Sequence, residues 1–97
     1  MRFEWDPDKD AANREKHGLS FQEASELFST GADFLEIYDE VHSLSEDRFI
    51  AIGPIRRGIV VVVFTERDED VIRILSARIA TTREQEQYLA YQRGRND

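Results

Sequence analysis

The sequence predicts an α+β domain in which helices pack against an antiparallel sheet. Capping patterns mark three helix starts: one after a first short strand, one directly after that helix, and one near the end of the chain. Between the second and third helices, four apolar or alternating segments are separated by short turns, which is typical of an antiparallel meander. The predicted order is β-α-α-β-β-β-β-α. A length of 97 residues corresponds to a single domain, residues 1–97.

The first two elements are a short strand and a helix with a polar side. Residues 3–5 alternate in character and predict the strand, and Asp6 followed by Pro7 is a favourable helix start. Gly18 suits the left-handed position after a helix that ends near residue 17. One side of this helix is polar and basic at the spacing where a core-facing side would be apolar. That side consists of Lys9, Asn13, Lys16 and His17.

The second helix and the strands follow from local patterns. Ser20 and Glu23 form a capping box, and the helix that they open is expected to end near Gly31. The strands are predicted at residues 34–39, 48–52, 59–64 and 71–79. The third of these is continuously apolar and β-branched, so it is expected to be a central strand that is covered on both faces.

The last helix is predicted to begin with a second capping box, in which Thr81 is the N-cap and Glu84 the third helical residue. Its packing side includes Tyr88. Residues 93–97 are expected to fray.

Composition excludes several classes of protein. The chain is 40% hydrophobic and 34% charged, so it can form a core, and it contains no cysteine for disulfides or a thiolate zinc site. No apolar run approaches the length needed to span a membrane, and a cytoplasmic protein is expected.

Charge is distributed unevenly along the chain. The net charge is −7, with −8 in residues 1–50 and +1 in residues 51–97. Eleven of the 13 basic side chains are arginine, which binds phosphate and carboxylate through a planar fork. A compositional bias of the genome is the alternative explanation for this excess.

No metal or cofactor is predicted. The two histidines, His17 and His42, are far apart and belong to no metal-binding pattern, and no phosphate-binding loop, dinucleotide fingerprint or serine-hydrolase motif is present. RNA, however, can be cleaved without metal by its own 2′-hydroxyl if a protein supplies a base, an acid and cations. The groups suited to those tasks are Lys9, Lys16, His17, Arg48, Arg73, Arg78, Arg83 and Glu84. Each also has a structural explanation as a member of an ion pair or a helix cap.

Two arginines in the last predicted strand can be separated by parity. In a regular strand Arg73 and Arg78 would face opposite ways, because they differ by an odd number of positions. Arg78 lies at the strand end next to a helix N-terminus that contains Arg83 and Glu84, a favourable place for a phosphate. Arg73 is the better candidate for a structural or partner-facing ion pair.

Three segments of the chain resemble, in this order and spacing, the BrnT family of toxins from type II toxin–antitoxin systems: FEWDPDKDAANREKHGLSFQEA, DEVHSLSEDRFIAIG and IRILSARIATTREQEQY. The resemblance covers residues 3–91. It implies a fold similar to RelE-type toxins and a metal-independent endoribonuclease that halts translation. It also implies a partner similar to BrnA, a ribbon-helix-helix antitoxin through which the complex binds operator DNA. The family's motif residues correspond to Trp5, Lys9, Asn13, Lys16, His17, Arg48, Arg78, Arg83, Glu84 and Tyr88.

Two functional hypotheses follow. In the first, the protein is a ribonuclease toxin in which Arg78 and Arg83 hold the scissile phosphate and either Glu84 or His17 moves the proton. The substrate-binding residues are then Lys9, Lys16, Arg48 and Tyr88. In the second, it is a catalytically inactive toxin-like module that acts as a co-repressor or adaptor with a small helical DNA-binding partner.

Overall fold

The computed structural model describes residues 1–95 of the chain. Its elements in chain order are β1 (Arg2–Glu4), α1 (Pro7–His17), α2 (Phe21–Ala24), α3 (Glu26–Ser29), β2 (Leu35–Tyr38), β3 (Phe49–Ile55), β4 (Gly58–Arg67), β5 (Val71–Ile79) and α4 (Thr82–Arg95). The α+β class is confirmed, and so are the predicted bounds of α1 and β5.

The five strands described in residues 1–95 form one sheet in the order β1-β5-β4-β3-β2. Strands β2 to β5 make the predicted antiparallel meander. Strand β1 runs parallel to β5, so the sheet is mixed rather than wholly antiparallel. The first strand therefore lies at one edge of the sheet, and β2 forms the other edge.

Each face of the sheet has its own apolar cluster. The face under α1, α2 and α3 carries the larger one, which includes Leu19, Phe21, Leu27, Val60, Val62, Phe64, Ile72, Ile74 and Ala77. The face under α4 carries the smaller one, built around Ile52, Val61, Ala80 and Tyr88. Strand β4 contributes to both clusters, which confirms the prediction of a central strand buried on two faces.

Local capping signals are confirmed where they were predicted. Asp6 accepts a hydrogen bond from the Asp8 amide (2.9 Å), and Gly18 closes α1 in the left-handed conformation with φ of 67°. Both capping boxes form. The second predicted helix, however, is divided into α2 and α3 at Ser25. The Ser25 hydroxyl donates to the Gln22 carbonyl (2.6 Å), a side-chain bond that competes with the helical pattern.

Helix α4 includes residues that were predicted to fray. It continues to Arg95, whose guanidinium pairs with Asp33 (Nε to Oδ2, 3.1 Å) and stacks over the Tyr91 ring. The prediction of fraying is therefore wrong for residues 93–95, and residues 96 and 97 lie outside the described part of the chain. Within residues 1–95, no helix is both long enough and apolar enough to cross a lipid bilayer.

A β-bulge in β5 overturns the parity prediction. Val63 pairs with Ser76, but the next residue of β4, Phe64, pairs with Ile74, so Leu75 is an extra residue in β5. Because side chains alternate with a period of two, one extra residue inverts the faces beyond it. Arg73 and Arg78 consequently lie on the same face of the sheet, the one that α4 partly covers.

Candidate active site

Helix α1 is held against the open edge of β5 by one buried amide. Strand β1 pairs only with residues 71–73 of β5, so the second half of that edge has no neighbouring strand within residues 1–95. Asn13 takes the place of a strand there. Its Nδ2 donates to the carbonyls of Ala77 and Leu19 (both 2.8 Å), and its Oδ1 accepts from the Ala77 amide (3.1 Å). These three bonds fix the position of the polar side of α1.

A cavity of about 220 Å³ lies between α1 and the bulged part of β5. Its lining consists of Lys9, Ala12, Asn13, Lys16, His17, Leu75 and Ser76. The structure therefore brings together three of the predicted site residues, two ammonium groups and one imidazole. Sequence reasoning missed Leu75 and Ser76, because they reach the cavity through a bulge that no glycine or proline marks in the sequence.

The end of β5 carries a second arrangement, a two-pronged ion pair. Arg78 Nη1 and Nη2 donate to Glu84 Oε1 and Oε2 at 2.7 and 2.8 Å. The same carboxylate accepts from the Thr81 amide (2.9 Å), while the Glu84 amide donates to the Thr81 hydroxyl (3.2 Å). The bonds from Arg78, and to a smaller extent those from Thr81, lower the pKa of Glu84 from 4.5 to about 2, against the opposing effect of burial. The bond to Glu84 likewise raises the pKa of Arg78.

These bonds argue against Glu84 as the group that removes a proton. A base with a pKa of about 2 has almost no affinity for a proton at neutral pH, and both of its oxygens are already occupied. Of the two residues predicted for this task, His17 is the better placed. Glu84 instead orients the guanidinium of Arg78.

The cavity and the ion pair are close neighbours on β5. Ser76 lines the cavity. It pairs with Val63 of β4, and Arg78 pairs with Val61, two residues away, so the side chains of Ser76 and Arg78 lie on the same face of the sheet. At about 3.3 Å per residue, the two backbone positions are roughly 7 Å apart. Arg83 is exposed in the adjoining first turn of α4.

Arg48 lies away from this group. It precedes Phe49, which pairs with Phe64 of β4, so Arg48 lies opposite Thr65. Thr65 is four residues along β4 from Val61, the residue that pairs with Arg78. That separation is about 13 Å. The Arg48 Nε is buried and has no hydrogen-bond partner among residues 1–95.

Three further predicted residues make structural contacts. Tyr88 is only 3% exposed and its hydroxyl donates to the Asp33 carbonyl (2.9 Å), so it packs in the core, and its substrate contact stays a prediction. Trp5 packs edge-on against Phe21. Arg73 pairs with Glu4 (3.3 Å), which confirms the prediction that it serves a structural ion pair.

The family model for BrnT, described as a ribonuclease toxin of type II toxin–antitoxin systems, matches residues 5–84. The chain belongs to this family. Its structure is similar to the crystal structure of the Brucella abortus ribonuclease toxin BrnT, with a TM-score of 0.68 and 28% sequence identity. That match covers 84% of this chain and 99% of the Brucella chain. No curated protein matches the chain.

Membership of the BrnT family confirms the resemblance inferred from the sequence and makes this chain a ribonuclease toxin with an RNA target and an antitoxin partner. The matched region contains every predicted site residue except Tyr88. Within residues 1–95, no group of three His, Cys, Asp or Glu side chains is arranged to hold a metal ion.

Proposed function

We propose that this BrnT toxin cleaves RNA without a metal ion, in the cavity between α1 and β5. The observation that supports this proposal is the convergence of His17, Lys9 and Lys16 on one cavity next to the braced Arg78. In the reaction, the 2′-hydroxyl loses its proton and its oxygen attacks the adjacent phosphorus. The bond to the 5′-oxygen then breaks, and that oxygen takes up a proton. The products are a 2′,3′-cyclic phosphate and a 5′-hydroxyl end.

His17 acts as the base in this proposal. It is half-buried in the last turn of α1, and imidazole is the side chain best suited to proton transfer near neutral pH. Lys9 and Lys16 place two positive charges on the same cavity, where they stabilise the additional negative charge of the phosphorane.

Arg78 binds the phosphate from the end of β5 next to the cavity. A guanidinium has five N–H donors, and the two bonds to Glu84 leave the others available to a phosphate oxygen. Arg83 adds charge from the first turn of α4. Arg48, about 13 Å from the level of Arg78, is proposed to bind a more distant phosphate of the same RNA.

The test is cleavage of a defined RNA by purified toxin in excess EDTA. His17→Ala is expected to lower the rate by about 100- to 10,000-fold, the usual contribution of a general base. Glu15→Ala, an exposed position on α1 that does not line the cavity, is the matched control and should leave the rate unchanged. Thermal melts of both variants show whether the fold is intact.

Two results would contradict the mechanism. Full activity of folded His17→Ala removes the imidazole from the chemistry, and loss of wild-type activity in EDTA removes metal independence. Complete inactivity of the wild type together with tight antitoxin binding would favour the alternative function, a toxin-like module that acts only by binding.

We further propose that the antitoxin is a basic ribbon-helix-helix protein similar to BrnA, that their complex binds operator DNA, and that free toxin halts translation in the cytoplasm. The family assignment and the net charge of −8 in residues 1–50 support this proposal, because an acidic surface attracts a basic partner. The test is stopped-flow association with the protein encoded beside the toxin gene. Association rates should fall as salt is added, and rates that do not change would contradict charge steering.

A further inference from the structure

The outer edge of the sheet, strand β2, has unpaired main-chain groups. Asp39 donates its amide to the Arg48 carbonyl (2.9 Å), which continues the ladder between β2 and β3. Because inward and outward groups alternate along a strand, the amides and carbonyls of Glu36 and Tyr38 point away from β3. No strand covers that side within residues 1–95, so this edge can accept another strand.

Exposed apolar side chains follow the same edge. Ile37 and Tyr38 are exposed on β2, and the loop after it exposes 76% of Val41 and 95% of Leu44. We call Glu36, Ile37, Tyr38, Val41 and Leu44 the β2-edge surface. These four apolar side chains lie within eight residues of one edge, with Ile37 and Tyr38 on opposite faces of β2, so a strand added to this edge would meet exposed apolar side chains on both faces.

The surroundings of the β2-edge surface are acidic. Residues 33–47 contain six Asp and Glu side chains and no Lys or Arg, and Arg48 follows directly. Asp33 pairs with Arg95 and Glu46 with Arg67. The carboxylates without an Arg or Lys partner within residues 1–95 are then Glu36, Asp39, Glu40 and Asp47. Within this stretch, the pKa of Glu36 is raised by partial burial and then by repulsion from the Glu66 carboxylate. A positively charged side chain at this edge would relieve that repulsion.

We infer that the antitoxin anchors on the β2-edge surface by adding a basic segment with alternating apolar residues as a sixth strand. This inference rests on the assignment of the chain as a toxin with an antitoxin partner. Main-chain groups supply pairing, the apolar side chains supply buried area, and the carboxylates select a basic partner. A second copy of this chain suits the edge poorly, because the acidic stretch would then face itself.

Anchoring at this edge is separate from the cavity of His17 in which cleavage is proposed. Strands β3 and β4 lie between β2 and β5, so the two edges of this part of the sheet are about 14 Å apart. Changes at Val41 and Leu44 should therefore alter antitoxin binding and leave RNA cleavage by free toxin untouched.

The experiment measures the affinity of full-length toxin for the antitoxin encoded beside its gene. The double variant Val41→Ser with Leu44→Ser removes the apolar contacts without adding charge beside Arg48. It should weaken binding at least tenfold, while its RNA cleavage without antitoxin equals that of the wild type. Leu89→Ser, at an exposed apolar position on α4, is the matched control and should bind normally. Hydrogen exchange of the toxin should show that the amides of Glu36 and Tyr38 become protected in the complex.

Unchanged affinity of the double variant, or β2 amides that still exchange freely in the complex, would overturn the inference. A toxin that dimerises in sedimentation and loses that dimer in the double variant would also overturn it, since the edge would then belong to a second copy. Failure of the proposed chemistry is a different result, because it appears as absence of RNA cleavage in the free wild type.

Discussion

Replacing Glu84 by Gln tests the brace on Arg78. The substitution keeps the shape of the side chain and removes its charge, so the two-pronged ion pair becomes at most one hydrogen bond from the Arg78 guanidinium to an uncharged amide oxygen. A pKa lowered from 4.5 to about 2 corresponds to about 3 kcal/mol of interaction at about 1.4 kcal/mol per pKa unit. Because the Arg78 side chain is 39% exposed, solvent screens part of that energy. We expect a loss of about 1.5 kcal/mol in the free energy of unfolding at pH 7.

The dependence on pH gives the same prediction a second readout. The pKa of Glu84 is lower in the folded chain than its ordinary 4.5, so its contribution is fully present above that value and disappears as the pH falls toward about 2. Wild-type stability should therefore fall more steeply between pH 5 and pH 2 than the stability of Glu84→Gln.

Urea unfolding at several pH values measures both effects. Glu86→Gln, an exposed carboxylate on the same helix, is the matched control and should differ little from the wild type. Two results would refute the assignment of about 1.5 kcal/mol to the ion pair. One is equal stability of Glu84→Gln and Glu86→Gln at pH 7, and the other is the same loss of stability between pH 5 and pH 2 in Glu84→Gln and the wild type. RNA cleavage by Glu84→Gln should also fall, because Arg78 loses its fixed orientation. This loss does not imply that Glu84 transfers a proton, since that task is assigned to His17.

Three further substitutions test packing and buried hydrogen bonds, each by urea unfolding. Asn13→Ala removes three buried bonds and leaves the amide and carbonyl of Ala77 unpaired, so it should cost about 2–4 kcal/mol and reduce RNA cleavage by releasing α1; a loss below 1 kcal/mol would contradict this. Gly53→Ala would place a Cβ 2.7 Å from Leu27 Cδ1 and should cost about 1–3 kcal/mol, whereas wild-type stability would show that the contact relaxes freely. Tyr88→Phe loses only the bond to a main-chain carbonyl and should cost about 1 kcal/mol with normal RNA cleavage; reduced cleavage in a folded variant would instead support the predicted substrate contact.

The features that could be predicted from the sequence are those fixed by neighbours a few positions away. The bounds of α1 depend on Asp6, Pro7 and Gly18, and all three act through contacts within a single turn. The capping box at Thr81 is equally local, and it predicts the position of Glu84 next to the end of β5 without reference to any tertiary contact.

The role of Asn13 could not be predicted in the same way, because its partner is distant. It bonds to Ala77, which is 64 positions later in the chain, and it can do so only because β1 is too short to cover that part of β5. The sequence shows a polar residue where an apolar one is expected on α1. It does not show whether that residue faces solvent, substrate or an open strand edge.

The β-bulge shows how one residue changes the interpretation of the arginines in β5. Nothing in the segment Val71–Ile79 marks Leu75 as an extra residue, so regular alternation is the natural assumption, and it assigns Arg73 and Arg78 to opposite faces. With the bulge, both occupy one face and each is paired with a carboxylate of the same chain, Glu4 or Glu84. The face itself therefore does not distinguish them. Arg78 is the stronger candidate for RNA contact because the residue before it on that face, Ser76, lines the cavity of His17, whereas Arg73 lies beyond the bulge.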